Sequence, residues 1–103
     1  MGESMNCLKK SKLLPSCQSD KRFYVCDGTH YSNYYEFFNG LKTMEEKTFI
    51  YHANENKNDF ASWVRNVFED HRLAKEIAKL STPRGMAKKV EGRIKVLQKN
   101  LYT

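Results

Sequence analysis

The amino-acid sequence predicts a small all-α domain. We expect an orthogonal bundle of four or five helices, with a short extended N-terminal segment and a basic C-terminal helix. Two observations lead to this fold class. Apolar residues recur at intervals of three and four along most of residues 34–101, as they do on one face of an amphipathic helix. Small polar residues precede these stretches, and their side chains can accept hydrogen bonds from the free amides of a first helical turn.

Length and composition indicate a single domain. The chain has 103 residues, of which 40% are hydrophobic and 13% are aromatic, and a chain of this size can bury one core without a metal or a disulfide. Residues 1–21 are rich in Ser and Lys and show no sustained period. We therefore expect a flexible basic arm over residues 1–21 and a single helical domain over residues 22–103.

The lack of a recognisable targeting signal and the cysteine usage together predict a cytoplasmic protein. No apolar run reaches the roughly 18 residues of a membrane span, and the N-terminus lacks the apolar region of a signal peptide. The three cysteines, Cys7, Cys17 and Cys26, are odd in number and widely spaced. A disulfide framework is therefore not expected, as is usual for a reducing compartment.

The first predicted element is an extended segment over residues 23–26. Its β-prone residues are followed by the turn pair Asp27-Gly28, but no partner strand is evident nearby. We interpret the segment as a lead-in whose aromatic side chains cover the helices. Pairing with a second copy in a dimer is the alternative.

Two helices are predicted after this segment. Ser32 or Asn33 is placed to cap the first helix. Thr43 begins the pattern of a capping box. It therefore opens the second helix, which we expect to run to about Asn54.

The densest pattern in the chain surrounds Trp63. Apolar residues there follow the i, i+3, i+4, i+7 spacing of a helix that faces a core. Asn58 or Asp59 caps this helix, and another short helix begins after Asp70. The predicted structural core comprises Phe49, His52, Asp59, Phe60, Trp63, Val64, Val67, Phe68 and Leu73.

Residues 49–74 also carry a resemblance to a known family. The string F-x-Y-H-A-N-x-x-x-N-D-F-x-x-W-V-x-x-V-F-x-D-x-x-L-A resembles the signature of an uncharacterised domain family found mainly in archaea and some bacteria. That family also tends to show an upstream F-x-x-x-D-G segment, which Phe23, Asp27 and Gly28 match here. The resemblance covers residues 23–80. It implies a domain boundary and no activity.

The last helix is predicted from Pro83 to about Leu101, after a cap at Ser81 or Thr82. Its apolar residues form a narrow seam that is typical of a coiled coil. This seam needs a surface to lie on, which is its own core, a second copy or another protein. As an interface, the seam would comprise Met86, Val90, Ile94, Leu97 and Leu101.

The net charge of +6 is unevenly placed along the chain. Residues 1–22 carry +3, residues 23–80 carry −2, and residues 81–103 carry +5. Two basic ends around a mildly acidic centre favour a polyanionic partner. The predicted phosphate contacts are Arg84, Lys88, Lys89, Arg93, Lys95 and Lys99 of the last helix, with Lys9, Lys10 and Lys12 of the arm.

We therefore expect a non-catalytic protein that binds DNA, RNA or a ribonucleoprotein such as the ribosome. Binding would use phosphate contacts with little sequence specificity, because no signature of a base-reading module is present. The alternative is a protein-interaction or homodimerisation module that uses the seam of the last helix.

Catalytic and metal sites have the least support in the sequence. His52, Asn58 and Asp59 flank one turn between two helices, but no nucleophile lies at a recognisable spacing, so we interpret them as structural. Cys26 and His30 form a single pair, whereas zinc sites normally show two such pairs. The sequence thus predicts no enzyme, no cofactor, no metal site and no small-molecule substrate.

Overall fold

The computed structural model describes residues 16–101, with side chains as far as residue 99. This part forms five α-helices: α1 (Tyr34–Thr43), α2 (Glu46–His52), α3 (Asp59–Phe68), α4 (His71–Ile77) and α5 (Pro83–Leu101). It also forms four strands of two residues each: β1 (Phe23–Tyr24), β2 (His30–Tyr31), β3 (Ala53–Asn54) and β4 (Lys57–Asn58). The strands make two antiparallel hairpins, β1–β2 and β3–β4. The fold is mostly helical, as predicted, but it is not purely all-α.

The extended segment that was expected to lack a partner is one arm of the β1–β2 hairpin. Phe23 lies opposite Tyr31 in the register. Gly28 turns the chain at φ 98, a left-handed conformation that glycine adopts without a steric cost. Asp27 Oδ1 accepts from the Thr29 amide at 2.9 Å and from the Thr29 hydroxyl at 2.7 Å. The segment therefore pairs within the chain, and the expectation that it lacks a partner strand is wrong, although Phe23 packs against the core as predicted.

The β3–β4 hairpin replaces the end of the second predicted helix. Helix α2 stops at His52, and Ala53 pairs with Asn58. The side-chain oxygen of Asn54 accepts from the Asn56 amide at 2.9 Å. This local bond favours a turn over a further helical turn, so the helix ends before the predicted Asn54.

Three of the five described helices are capped by one of the two residues that the sequence offered for each, and α4 begins after Asp70 as predicted. The side chains that accept from first-turn amides are Asn33, Asn58, Asp70 and Thr82. The exception is α2, for which the predicted Thr43 cap is wrong because Thr43 is the last residue of α1. Glu45 precedes α2, and its side chain makes no capping bond within the described part of the chain.

Aromatic rings form the centre of the core, between the β1–β2 hairpin and helices α1 to α3. Phe37, Phe49 and Phe60 are fully buried. The Phe60 ring stacks on Phe37, with centroids 5.6 Å apart, and on Phe49, with centroids 5.5 Å apart. Trp63 meets Phe37 edge-on at 5.6 Å. Contacts between aromatic rings stabilise a fold beyond the energy gained by burying the rings, so this cluster stabilises the packing of the hairpin on the helices.

The predicted core residues fall into two groups. The buried group is Phe49, His52, Phe60, Trp63, Val64 and Leu73. The half-buried group is Asp59, Val67 and Phe68. The apolar face of α3 therefore meets the core closely along its first two turns and reaches the edge of the core near its C-terminal end.

Helix α5 packs against α1 and α4 and completes the core. Met86 and Val90 are fully buried, Ile94 is 7% exposed, and Leu97 packs against the edge of the same core. The side chain of Leu101 lies outside the described part. Because the seam is covered by the chain itself, its assignment as an interface with another molecule is wrong for Met86, Val90 and Ile94.

Residues 16–21, which were expected to belong to the arm, form four hydrogen bonds with later parts of the chain. The Cys17 amide donates to the Ser32 carbonyl at 2.9 Å, and the Trp63 indole Nε1 donates to the Lys21 carbonyl at 2.8 Å. Asn33 Nδ2 donates to the Ser16 hydroxyl at 3.2 Å, and the Tyr24 hydroxyl donates to the Ser19 carbonyl at 2.9 Å. These six residues therefore contact the helical domain. Residues 1–15, which include Lys9, Lys10 and Lys12, lie outside the described part of the chain.

Candidate nucleic-acid interface

The side of α5 that faces away from the core carries a row of basic residues. This row, termed the α5 stripe, comprises Arg84, Lys88, Lys95 and Lys99, and all four residues are exposed. At about 3.6 residues per turn, the four positions fall within an arc of about 60°, opposite the buried Met86. The rise of about 1.5 Å per residue gives the stripe a length of about 22 Å. The α5 stripe is thus a nearly straight row of basic residues on the solvent side of the helix, with the half-buried Glu91 at its edge.

Gly92 lies beside the α5 stripe, between Lys88 and Lys95 along the helix and on the side toward the α4–α5 groove. A Cβ atom built at Gly92 would meet no atom within 4 Å, so the packing of the domain does not require glycine there. Glycine inside a helix costs about 1 kcal/mol relative to alanine. The missing side chain leaves a low point between two lysines, where a ligand can approach the helix backbone closely.

Two of the predicted phosphate contacts on α5 lie off the stripe. Lys89 is exposed on the flank that faces α4 and lines a groove there. Arg93 is half-buried, and its Nε atom donates to Asp70 Oδ2 at 2.8 Å. The Arg93 guanidinium is therefore already paired inside the domain, which makes it less available to a phosphate than the four residues of the stripe.

Asp70 joins three helices at this point. Its carboxylate accepts from Arg93 on α5, from the Tyr34 hydroxyl on α1 at 2.9 Å, and from the Leu73 amide on α4 at 3.2 Å. Burial raises the pKa of the Asp70 carboxyl, but the hydrogen bonds from Arg93, Leu73 and Tyr34 outweigh burial and hold that pKa below its ordinary 3.8. Asp70 therefore stays ionised near neutral pH and fixes α5 against α1 and α4.

Helix α4 and the turn after it add three exposed cations that the sequence analysis did not select: Arg72, Lys75 and Lys79. Arg72 lines a groove of about 310 Å³ between α4 and α5, together with Lys88 and Lys89. Arg72 also lies 3.7 Å from the Glu76 carboxylate, as an exposed pair of small energy. These cations were missed in the sequence because the net charge of residues 23–80 is −2, in which the acidic residues outnumber them. Their i, i+3, i+7 spacing on the polar side of a predicted helix was the signal that could have found them.

Charge is divided between two halves of the described structure. Residues 71–99 contain nine Lys and Arg residues against two acidic ones, whereas residues 16–70 contain six against nine. Helices α4 and α5 therefore form a basic half that faces an otherwise mildly acidic domain. A field of this kind attracts polyanions and repels cations.

His52 and Asp59 form a separate polar site, and their hydrogen bonds explain it as structural. His52 Nε2 accepts from the Cys26 amide at 3.0 Å, and Nδ1 lies 3.0 Å from Asp59 Oδ2. Lys57 Nζ also lies 3.0 Å from this carboxylate oxygen. Burial raises the pKa of Asp59, but the bonds from His52 and Lys57 outweigh it and lower that pKa. Both nitrogens of His52 are engaged by protein groups, so the residue ties the first hairpin to α2 and α3.

The remaining candidate groups do not converge. Cys26 and His30 are both exposed near the turn of the first hairpin. Among residues 16–101, no group of three or more His, Cys, Asp and Glu side chains is placed to hold a metal ion. Within the same range, no helix combines the length and the apolarity needed to cross a bilayer.

Comparison with known proteins assigns the chain to a family but not to an activity. A family model described as "Family of unknown function (DUF5752)" matches residues 23–99. No curated protein matches the chain, and no solved structure matches it either. The match extends beyond residue 80, where the resemblance in the sequence was expected to end. It therefore includes α4 and the α5 stripe within the family domain.

Proposed function

Since the chain belongs to this family of unknown function, we propose its function from its own surface: the domain binds the phosphate backbone of DNA or RNA without catalysis and with little sequence preference. The observation that carries this proposal is the α5 stripe, with Arg84, Lys88, Lys95 and Lys99 exposed on one side of a helix. Arg72 and Lys89 extend the positive surface toward α4.

The number of cations on this surface sets the expected salt dependence. The four residues of the stripe, with Arg72 and Lys89 beside them, provide four to six cations for phosphate contacts. Four to six neutralised phosphates would release condensed counterions. The logarithm of the affinity should then fall with the logarithm of the salt concentration, with a slope of about −4 to −5.

The composition of the stripe favours binding that does not depend on sequence. Three of its four residues are lysines, which act as point charges toward phosphate. Arginine, by contrast, presents a planar fork of donors that suits bidentate contacts. The only arginine of the stripe is Arg84, at the beginning of α5. Phosphate contacts of this type position a protein on nucleic acid without reading its bases.

The proposal is tested by fluorescence anisotropy with a labelled duplex DNA, a single-stranded DNA and a structured RNA over a series of salt concentrations. The test variant replaces Lys88, Lys95 and Lys99 together by Gln. We expect the slope to become shallower by up to about three units, since each lost contact removes about 0.9. All sequences should weaken alike.

The control variant removes the same amount of charge from the other half of the domain. It replaces Lys21, Lys47 and Lys57, all exposed, by Gln. Its slope should change by less than about one unit, because its cations are not on the stripe. The proposal is wrong if the two variants lower the slope equally. It is also wrong if the parent protein binds none of the three ligands more tightly than millimolar at low salt.

A further inference from the structure

A second cation-lined groove lies between α3 and α4. It has a volume of about 650 Å³, and Arg65, Lys75 and Lys79 line it. All three residues are exposed, and no Asp or Glu is among the residues that form the groove. This groove is thus a concave surface of one sign of charge, where the field of the cations is concentrated. The α3–α4 groove is therefore suited to an anionic ligand.

The floor of this groove is made of small side chains. Ala61 and Ala74 are buried beneath it, and Ala78 and Ser62 are exposed along it. Asn58 also lines the groove, but its side chain is engaged by the Ala61 amide and the Ile77 carbonyl. The floor therefore offers little bulk and few free polar groups, so the cations at the rim dominate recognition.

Helix α4 separates this groove from the groove on its other side, which Arg72, Lys88 and Lys89 line. Packed helices lie about 8–10 Å apart, so the two grooves that flank α4 are separated by about the same distance. The major groove of B-DNA is about 12 Å wide and the minor groove about 6 Å. The separation of the two cation-lined grooves thus falls between the widths of the minor and the major groove of DNA.

We propose that the α3–α4 groove binds the second phosphate row of a duplex whose first row lies along the α4–α5 groove, on Arg72, Lys88 and Lys89, with α4 facing the DNA groove between them. This inference rests on the proposed function and specifies its ligand as double-stranded. The distribution of aromatic residues agrees with it. Proteins that bind single strands stack bases on exposed aromatic rings, whereas no Phe, Tyr or Trp is exposed within residues 59–99.

The test compares a duplex with one of its own single strands. The variant replaces Arg65, Lys75 and Lys79 together by Gln, and circular dichroism checks its fold. We expect the salt slope for the duplex to become shallower by two to three units, at about 0.9 per contact. The slope for the single strand should change by less than about one unit, because a single strand has no second phosphate row to place in the α3–α4 groove.

A second variant adds a charge instead of removing three. Ser62 is exposed on the wall that α3 contributes to the groove, so Ser62→Lys should steepen the duplex slope by about 0.9 without disturbing the core. The same change at Ser19, which is exposed and does not line the groove, is the matched control and should leave the slope nearly unchanged.

Each outcome separates the two proposals. If the parent protein binds no nucleic acid, both proposals are wrong. If the Lys88, Lys95 and Lys99 variant loses binding while the groove variant changes the duplex slope by less than about one unit, the proposed function stands and this inference fails. An equal loss on the duplex and on the single strand also overturns the inference, because it shows that the groove does not distinguish them.

Discussion

Replacing Asp70 by Asn tests the attachment of α5, and with it the geometry of the basic surface. Asn is as good an N-cap as Asp, so the new side chain can still accept from the Leu73 amide. It places an NH₂ group, however, where Oδ2 now accepts from Arg93 and Tyr34. Three donors would then face one another in a site where the Asp70 side chain is only 8% exposed.

The expected cost follows from this geometry. Hydrogen bonds to a charged group contribute about 1.5–3 kcal/mol each, and breaking a buried ion pair costs about 3–5 kcal/mol. The Arg93 side chain is 29% exposed and can turn partly toward water, so the lower end applies. We expect a loss of about 3 kcal/mol in the free energy of unfolding, or about 12–24 °C in melting temperature for a domain of this size.

The pH dependence of the stability difference provides a second, independent test of the Asp70 contacts. The pKa of Asp70 is lowered in the folded state, so its contribution is present above the ordinary carboxyl pKa of about 3.9. That contribution is lost as the pH falls through the lower, folded pKa. The stability difference between the parent and Asp70→Asn should therefore be constant from about pH 5 to pH 8 and shrink below about pH 4.

Urea denaturation followed by circular dichroism, repeated across this pH range, measures both effects. Tyr34→Phe is the matched control, because it removes one hydrogen bond to Asp70 and keeps the pair with Arg93. We expect it to cost about 1.5 kcal/mol, the lower end of the range for a bond to a charged group. A loss below about 1 kcal/mol for Asp70→Asn, or a difference that persists unchanged at about pH 3, would show that the pair does not hold α5 in place.

Two further substitutions test the core and the stripe. Trp63→Ala should lower the free energy of unfolding by at least about 3 kcal/mol. Trp63→Phe keeps an aromatic ring but loses the bond to the Lys21 carbonyl, and should lower it by about 1–2 kcal/mol. A melting temperature of Trp63→Ala within about a degree or two of the parent contradicts the buried placement. Gly92→Ala should raise the free energy of unfolding by about 0.5–1 kcal/mol, because the new methyl group meets no atom. Gly40→Ala is its control and should destabilise, because a Cβ there would collide with the Tyr31 ring; a destabilised Gly92→Ala would show that Gly92 serves the packing of α5.

Local features of the chain were predictable because their causes lie within a few residues of one another. The caps at Asn33, Asn58 and Asp70 bond amides three residues later, so the sequence alone placed the starts of α1, α3 and α4. The spacing of Phe60, Trp63 and Val64 likewise identified the face of α3 that would be buried. The same kind of local pattern gave a wrong prediction at Thr43. This residue was expected to begin α2, but it is the last residue of α1.

Pairing between strands was harder to predict. The β1–β2 hairpin depends on two residues per strand and on a turn at Gly28. Such short strands leave almost no alternation of polar and apolar residues to detect. The β3–β4 hairpin was concealed because residues 53–58 follow directly from the helical pattern of α2.

The sequence by itself determined that α5 is an amphipathic helix with a basic side, because periodicity and charge are properties of consecutive residues. Only the tertiary structure decided what the apolar side contacts, since Val90 and Ile94 would pack equally well against a second copy or against the core of their own chain. It also paired Arg93 with Asp70, which is 23 residues away, and so made Arg93 less available to a phosphate. Packing of α3 against α4 brought Arg65 beside Lys75 and Lys79. The charged residues of the candidate interface could therefore be identified from the sequence. Their grouping on the surface could not, because it depends on distances between helices that no local pattern encodes.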